Sequence, residues 1–168
     1  MKLRLIESDI KRWAEKCKYP LEENDLLSQK TLVQQAGCIT QAQLGLVARW
    51  KAPRSAGHVN KNSENFVKEV SAFSFNTHDE RARIESLTLL DGVEWPTASV
   101  ILHFFHPDPY PIIDFRALWS VGLKVPKQYE FSFWWPYVEF CREAAARNGV
   151  DMRTLDRALW QYSKEKQK

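Results

Sequence analysis

Hydrophobic residues return at helical spacing along this chain, most clearly at Ile84, Leu87 and Leu90 and again at Val100, Ile101, Phe104 and Phe105. That spacing predicts two short helices, each with one buried face. The join between them is tight. Gly92 can take the left-handed conformation that closes a helix, and Pro96 suits the first turn of the next, where an amide hydrogen would have no partner anyway.

The same pattern extends to both sides. Residues 8–18 predict a helix capped by Ser8 or Asp9, with Ile10, Trp13, Ala14 and Cys17 on one face and Tyr19-Pro20 at its end. Residues 22–36 predict a second, closed by Gly37. Thr40 caps a third over 41–50, with Leu44, Val47 and Ala48 inward and Gly45 weakening it slightly. Ser63 opens a fourth, with Phe66, Val67, Val70 and Phe73 inward. Thr77-His78-Asp79-Glu80 is an acid-rich N-terminal signature for the helix that carries Ile84 and Leu87. After Pro111-Ile112-Ile113, too short to found a sheet, a helix from Phe115 to Val121 ends at Gly122, and residues 124–130 read as a linker. Residues 133–147 form a strongly apolar helix with Trp134, Tyr137, Val138, Phe140 and Cys141, closed by Asn148-Gly149. Asp151 or Thr154 caps a last helix that buries Leu155, Leu159 and Tyr162 before the tail at 164–168 frays. No strand-period pattern competes, so the fold class is all-α.

Length and composition narrow the picture. At 168 residues the chain suits one domain, 1–168, or one compact bilobed unit. A net charge of +3 does not by itself announce a nucleic-acid binder. Local distribution says more: Arg49, Lys51, Arg54 and Lys61 fall in a loop-like stretch with no acid, enough to give phosphate binding a visible salt dependence. Cys17, Cys38 and Cys141 are odd in number and far apart, as free thiols in a reducing compartment would be. No secretory signal opens the chain, and no apolar run approaches about 18 residues. A soluble, cytoplasmic protein with no membrane contact is expected. His58, His103 and His106 show no ligand spacing with the cysteines, so no metal is expected.

Candidate chemistry gathers around the join. Amides over 92–97 would face outward at a helix N-terminus, a site suited to a phosphate. Trp50 is either a stacking surface for a base or a core residue. Asp114 follows a buried extended piece and precedes a helix, a cap position that favours the ionised carboxylate. Arg116 can meet a phosphate or an acid, and on helical geometry it points away from Phe115. Tyr110 lies beside Asp114 in sequence and is a pocket candidate by proximity.

Leu90, Gly92, Val93, Thr97 and Ala98, the proline-rich loop with Pro107 and Pro111, and Asp114 at its distance from Ala98 together resemble the helix-hairpin-helix DNA glycosylase superfamily, in its endonuclease III-like class. The resemblance implies a cleft between two helical lobes and a monomer acting on double-stranded DNA that contains a modified base. It assigns catalysis to Asp114 and places DNA at Gly92, Val93, Trp95 and Thr97; beside these, the basic stretch offers Lys51, Arg54 and Lys61, with Arg116, as backbone contacts, its Trp50 can stack on a base, and Tyr110 is a pocket candidate by proximity. Two positions depart from the family pattern. Pro96 stands where bifunctional members carry their Schiff-base lysine, and Glu94 replaces the second glycine of the hairpin. The four cysteines that hold an iron-sulfur cluster in some members are absent, so no cofactor is implied. The implied reaction is base release by water, leaving an abasic site with the strand intact. Small members of this superfamily that remove hypermodified phage cytosines, such as glucosylated hydroxymethylcytosine, are similar in size. The alternatives are a non-catalytic DNA-binding module and a helical protein-interaction scaffold.

Overall fold

The computed structural model describes residues 1–18, 22–54 and 56–167. Over these residues the chain is all-helical: α1 (Ile10–Lys16), α2 (Glu22–Ala36), α3 (Gln41–Lys51), α4 (Glu64–Asn76), α5 (Glu80–Leu87), α6 (Trp95–Phe105), α7 (Phe115–Ser120), α8 (Phe131–Arg147) and α9 (Met152–Lys166), with 3-10 turns at Glu7–Asp9 and Ala56–Lys61. Its contacts cluster into two compact units. Pro20–Asp108 forms one; Met1–Tyr19 and Pro109–Lys168 together form the other. By order along the chain, the first is the inner unit and the second, made of the two flanking segments, the outer unit.

The inner unit is built on α6, whose Ala98, Val100, Ile101, Leu102, Phe104 and Phe105 are all buried. Helices α2, α3 and α5 pack against it, contributing Leu26, Val33, Leu44, Val47, Ile84 and Leu87. Each such side chain removed from water stabilises by roughly 1.5–3 kcal/mol. Helix α3 begins where expected, with Thr40 and Gln43 forming a reciprocal capping box, and Gly37 closes α2 with φ 68°.

Helix α4 is turned from its predicted orientation. Val67 and Val70 are buried, but Phe66 and Phe73 are 43% and 55% exposed. Ser71 and Ser74 take their place. The Ser71 hydroxyl donates to the Val67 carbonyl (2.7 Å) and accepts from the Ile39 amide (3.0 Å), while Ser74 donates to the Arg83 carbonyl (2.8 Å). Two small residues with satisfied hydroxyls let neighbouring backbone approach, and two phenylalanines on that face would not.

The outer unit joins sequence-distant segments. The Lys2 and Arg4 amides donate to the Val121 and Ser120 carbonyls (3.1 and 2.8 Å). Helices α1 and α7 both pack on α9. Glu7 receives both a pair of bonds from Arg147 (3.0 and 2.8 Å) and one from Asn148 (2.9 Å). Helix α1 differs from expectation at its start, where a 3-10 turn precedes it and neither Ser8 nor Asp9 supplies a side-chain cap. The expected Tyr19-Pro20 terminator lies outside the described residues. Helix α8 starts at Phe131, two residues early, and α9 is capped by Asp151 and runs on to Lys166, into the stretch expected to fray. None of the three cysteines is in a disulfide. No helix among the described residues is long and apolar enough to cross a membrane.

Candidate functional site

Helix α5 ends at Leu87, and the chain turns through residues 88–94 before α6 begins. Leu90 and Val93 anchor this turn from inside, both almost fully buried. The Val93 amide donates to the Leu90 carbonyl (3.0 Å). Gly92 has φ 79°, a region where a side chain is strained. Space adds a second constraint, because a Cβ at Gly92 would lie 2.9 Å from the His58 Cβ and 3.0 Å from the Val59 amide nitrogen.

That close approach identifies what holds the turn. The 3-10 segment Ala56–Lys61 runs against it, and the buried Asn62 at its end locks it. Asn62 accepts from the Asp91 amide (2.9 Å) and donates to the Asp91 and Val59 carbonyls (3.0 and 2.9 Å). The 56–62 segment of the stretch read as a basic loop is thus ordered and seated on the turn through His58, Val59 and Asn62. His58 and Lys61 are exposed within it; Arg54 is exposed and Lys51 half-buried just before it.

The chemistry presented by the turn is mixed. Gly92 and Glu94 are exposed, and their amides donate to no acceptor among the described residues, which leaves them available to an anion. Glu94 caps α6 without a side-chain bond, and its carboxylate is exposed alongside that of Asp91. Two expected contact residues point elsewhere: Val93 and Thr97 are buried, at 3% and 4% exposure, so their side chains build the turn's underside. Trp95 is half-buried. Trp50, also half-buried, sets its ring edge-on to Phe104, with centroids 5.4 Å apart.

In the outer unit, Asp114 is the N-cap of α7 and is partly exposed. Its Oδ1 accepts from the Arg116 amide (2.9 Å). The extended residues before it are fixed by the core, with Ile112 and Ile113 buried and the Ile112 carbonyl accepting from the Tyr137 hydroxyl (3.1 Å). Tyr129, from the linker before α8, shares this neighbourhood. Burial and then the negative charge of Asp114 push its hydroxyl pKa up.

Two sequence readings here need correction. Tyr110 is fully buried and stacks on Trp134, centroids 5.8 Å apart and planes 8° from parallel, with the Arg142 guanidinium 4.5 Å from its centroid. It supports the segment leading to Asp114 and offers no face to a base. Arg116 lies over the Phe115 ring (4.9 Å) and also over Trp160 (5.5 Å). On a helix as short as α7, attraction to two aromatic faces outweighs the direction set by helical spacing.

Asn62, Tyr129 and Trp160 are not singled out from sequence, and His58 is weighed there only as a metal ligand. An asparagine beside a helix cap gives no local sign that its partner is 29 positions away. No group of three or more His, Cys, Asp or Glu residues is placed to hold a metal among the described residues. No protein-family model, curated protein or solved structure matches the chain.

Proposed function

We propose that the protein is a monofunctional DNA glycosylase, which takes a modified base out of the duplex and hydrolyses its bond to the sugar. The observation that carries the reading is the α5–α6 turn with a basic segment seated on it: exposed Gly92 and Glu94 whose amides have no acceptor among the described residues, a glycine enforced by both φ and space, and Lys61 and His58 exposed alongside. Such a turn suits a phosphate of the DNA backbone. The sequence resemblance over residues 84–114 supports the same assignment.

Asp114 supplies the chemistry. As the bond between C1′ and the base nitrogen breaks, its electron pair leaves with the base and positive charge builds on the sugar. An ionised carboxylate stabilises that charge, orients a water molecule toward C1′ and takes up the proton released when the water oxygen bonds there. The cap bond from the Arg116 amide holds the carboxylate in one orientation. Pro96, where a lysine nucleophile would stand, favours water as attacking group and an unbroken strand as product. The protein works on DNA as a cytoplasmic monomer in this reading, and hypermodified phage cytosines are the first substrates to test.

Incubation with duplexes that carry different modified bases, followed by mass spectrometry of the liberated bases, tests the proposal. Release of one base, lost in Asp114→Asn, with no adduct trapped by borohydride, is the expected result. A trapped adduct would replace water with an amine nucleophile. The second reading, a DNA-binding module without catalysis, draws on the cap bond that Asp114 already makes. Salt-dependent binding that survives Asp114→Asn, with no base released from any duplex, would select it.

A further inference from the structure

Away from Asp114 and the α5–α6 turn, the outer unit carries an unusual density of cations on aromatic rings. Arg4, Lys16, Arg116, Arg142 and Lys164 each lie over an aromatic face, where about one significant pair per 70–80 residues is usual. Two have a structural explanation nearby: Lys16 also pairs with Glu165, and Arg142 also donates to the Pro109 carbonyl. Arg4 differs because of its surroundings.

The N-terminal segment runs along the end of α7, held by the Lys2 and Arg4 amides on Val121 and Ser120. The Tyr162 hydroxyl of α9 donates to the Arg4 carbonyl (2.9 Å). Three backbone-directed bonds therefore fix where the two side chains start. The Arg4 guanidinium lies 4.5 Å from the Trp119 centroid, and Trp119 leans on Tyr162 with centroids 5.9 Å apart. Lys2, Leu3, Arg4, Trp119, Gly122 and Tyr162 line a cavity of about 440 Å3, within the size range of small-molecule sites. No acid lines it, and neither Lys2 nor Arg4 forms an ion pair among the described residues. A second cavity in this unit, of about 360 Å3, sets Lys11 and Arg157 against Glu15 and Asp151, so its charges offset one another.

We infer that the groove framed by Lys2, Arg4, Trp119 and Tyr162 is a nucleotide-binding site. An anion alone needs no indole, and an aromatic ligand alone needs no pair of unpaired cations; a nucleotide carries a phosphate and a planar base at one sugar's separation. Lys2 and Arg4 take the phosphate, Arg4 reaching it from over one face of Trp119, and the part of the half-exposed Trp119 and Tyr162 rings that Arg4 leaves uncovered provides the stacking surface, which accepts any base because every base has a π-face. The ligand is a free nucleotide or one residue of a single strand. The site does not rest on base excision.

Isotope-labelled full-length protein titrated with thymidine monophosphate, with a short oligothymidine and with inorganic phosphate, and followed by NMR, tests the assignment. Shifts at the Lys2, Arg4 and Gly122 amides and at the Trp119 indole are expected with both nucleotide probes, with inorganic phosphate at least about tenfold weaker. Tighter binding of the oligothymidine would identify a strand as ligand and equal binding a free nucleotide, either supporting the site. Arg4→Glu, a surface change whose fold is checked by its melting temperature, should weaken both nucleotide probes about tenfold or more. Trp119→Phe should retain more affinity than Trp119→Leu. Asp114→Asn should leave binding unchanged. Absence of shifts in this groove, equal affinity for phosphate and mononucleotide, or wild-type affinity in Arg4→Glu would each overturn it.

Discussion

The α5–α6 turn offers main chain to a ligand, whereas Asp114 offers a side chain, and each is held by what the other lacks. At the turn, shape comes from a missing Cβ at Gly92 and from one buried amide side chain, Asn62, bonded to both polar groups of Asp91. At Asp114 the scaffold is buried aliphatic and aromatic packing, and the Oδ1 bond from the Arg116 amide aims the group itself. A backbone site is therefore lost by disturbing shape, and a side-chain site by disturbing charge. The sharpest separation of the two is Asp114→Asn. Asparagine caps a helix about as well as aspartate, so the melting temperature should barely move, while base release falls by about 10²–10⁴-fold with the loss of a charge-stabilising and proton-accepting group. Single-turnover release beside thermal denaturation checks both halves, and a large stability loss would show Asp114 to be mainly structural.

Gly92→Ala is the opposite probe. A left-handed non-glycine residue costs about 1–2 kcal/mol, and the added Cβ meets His58 and Val59 at 2.9 and 3.0 Å. Chemical denaturation should report a loss of about 2 kcal/mol or more, with weaker duplex binding. Asn62→Ala should follow closely. It removes both bonds to the Asp91 backbone and one of the two to the Val59 carbonyl, each worth about 0.5–1.5 kcal/mol. If duplex affinity survives both changes, the turn is not where DNA is held.

Acid should divide the two units as well. In the inner unit His106 is buried beside Arg83, whose Nη1 lies 2.7 Å from Nε2. Burial first, and the Arg83 charge second, depress its pKa below the usual 6.5, against smaller opposing effects of Asp108 and Glu80. A depressed histidine binds protons more readily when unfolded, so its contribution is complete above about pH 6.5 and is lost as pH falls below that value. In the outer unit the bonds from Arg147 and Asn148 bring the Glu7 carboxyl from 4.5 to about 2. A depressed carboxylate contributes above about pH 4.5 and loses that contribution as pH falls toward 2. Amide hydrogen exchange across a pH series should show protection in α5 and α6 weakening first, and His106→Gln should remove the earlier of the two phases.

Features governed by neighbours in sequence were legible: Thr40, Asp114 and Gly37 each do what the local rule for their position requires. Features that depend on a distant partner were not. The α4 face was misread because phenylalanine outranks serine in any hydrophobic pattern, and only the approach of Ile39 and the Arg83 carbonyl makes two serines the better core residues. Tyr110 was read by its proximity to Asp114, but its environment is set by Trp134, 24 positions on by subtraction of their numbers. The basic stretch was recognisable as charge. That it sits on the turn was not, since Asn62 is the link and looks like any loop asparagine.

The smallest effect is the one that tests whether the basic segment and the turn act together. Lys61 is exposed in the 3-10 segment that touches Gly92, whereas Arg116 belongs to the outer unit and is partly engaged with Phe115 and Trp160. A cation that meets one phosphate contributes about 0.9 to the slope of log affinity against log salt. Lys61→Ala should therefore lower the slope for duplex DNA by about one, uniformly across base sequences, because phosphates carry no sequence information. The fold should be unaffected, as the side chain is in solvent. Fluorescence anisotropy at several salt concentrations reads the change. A slope that is unchanged in Lys61→Ala but reduced in Arg116→Ala would move the phosphate contact to the outer unit, leaving the order around Gly92 as a matter of stability alone.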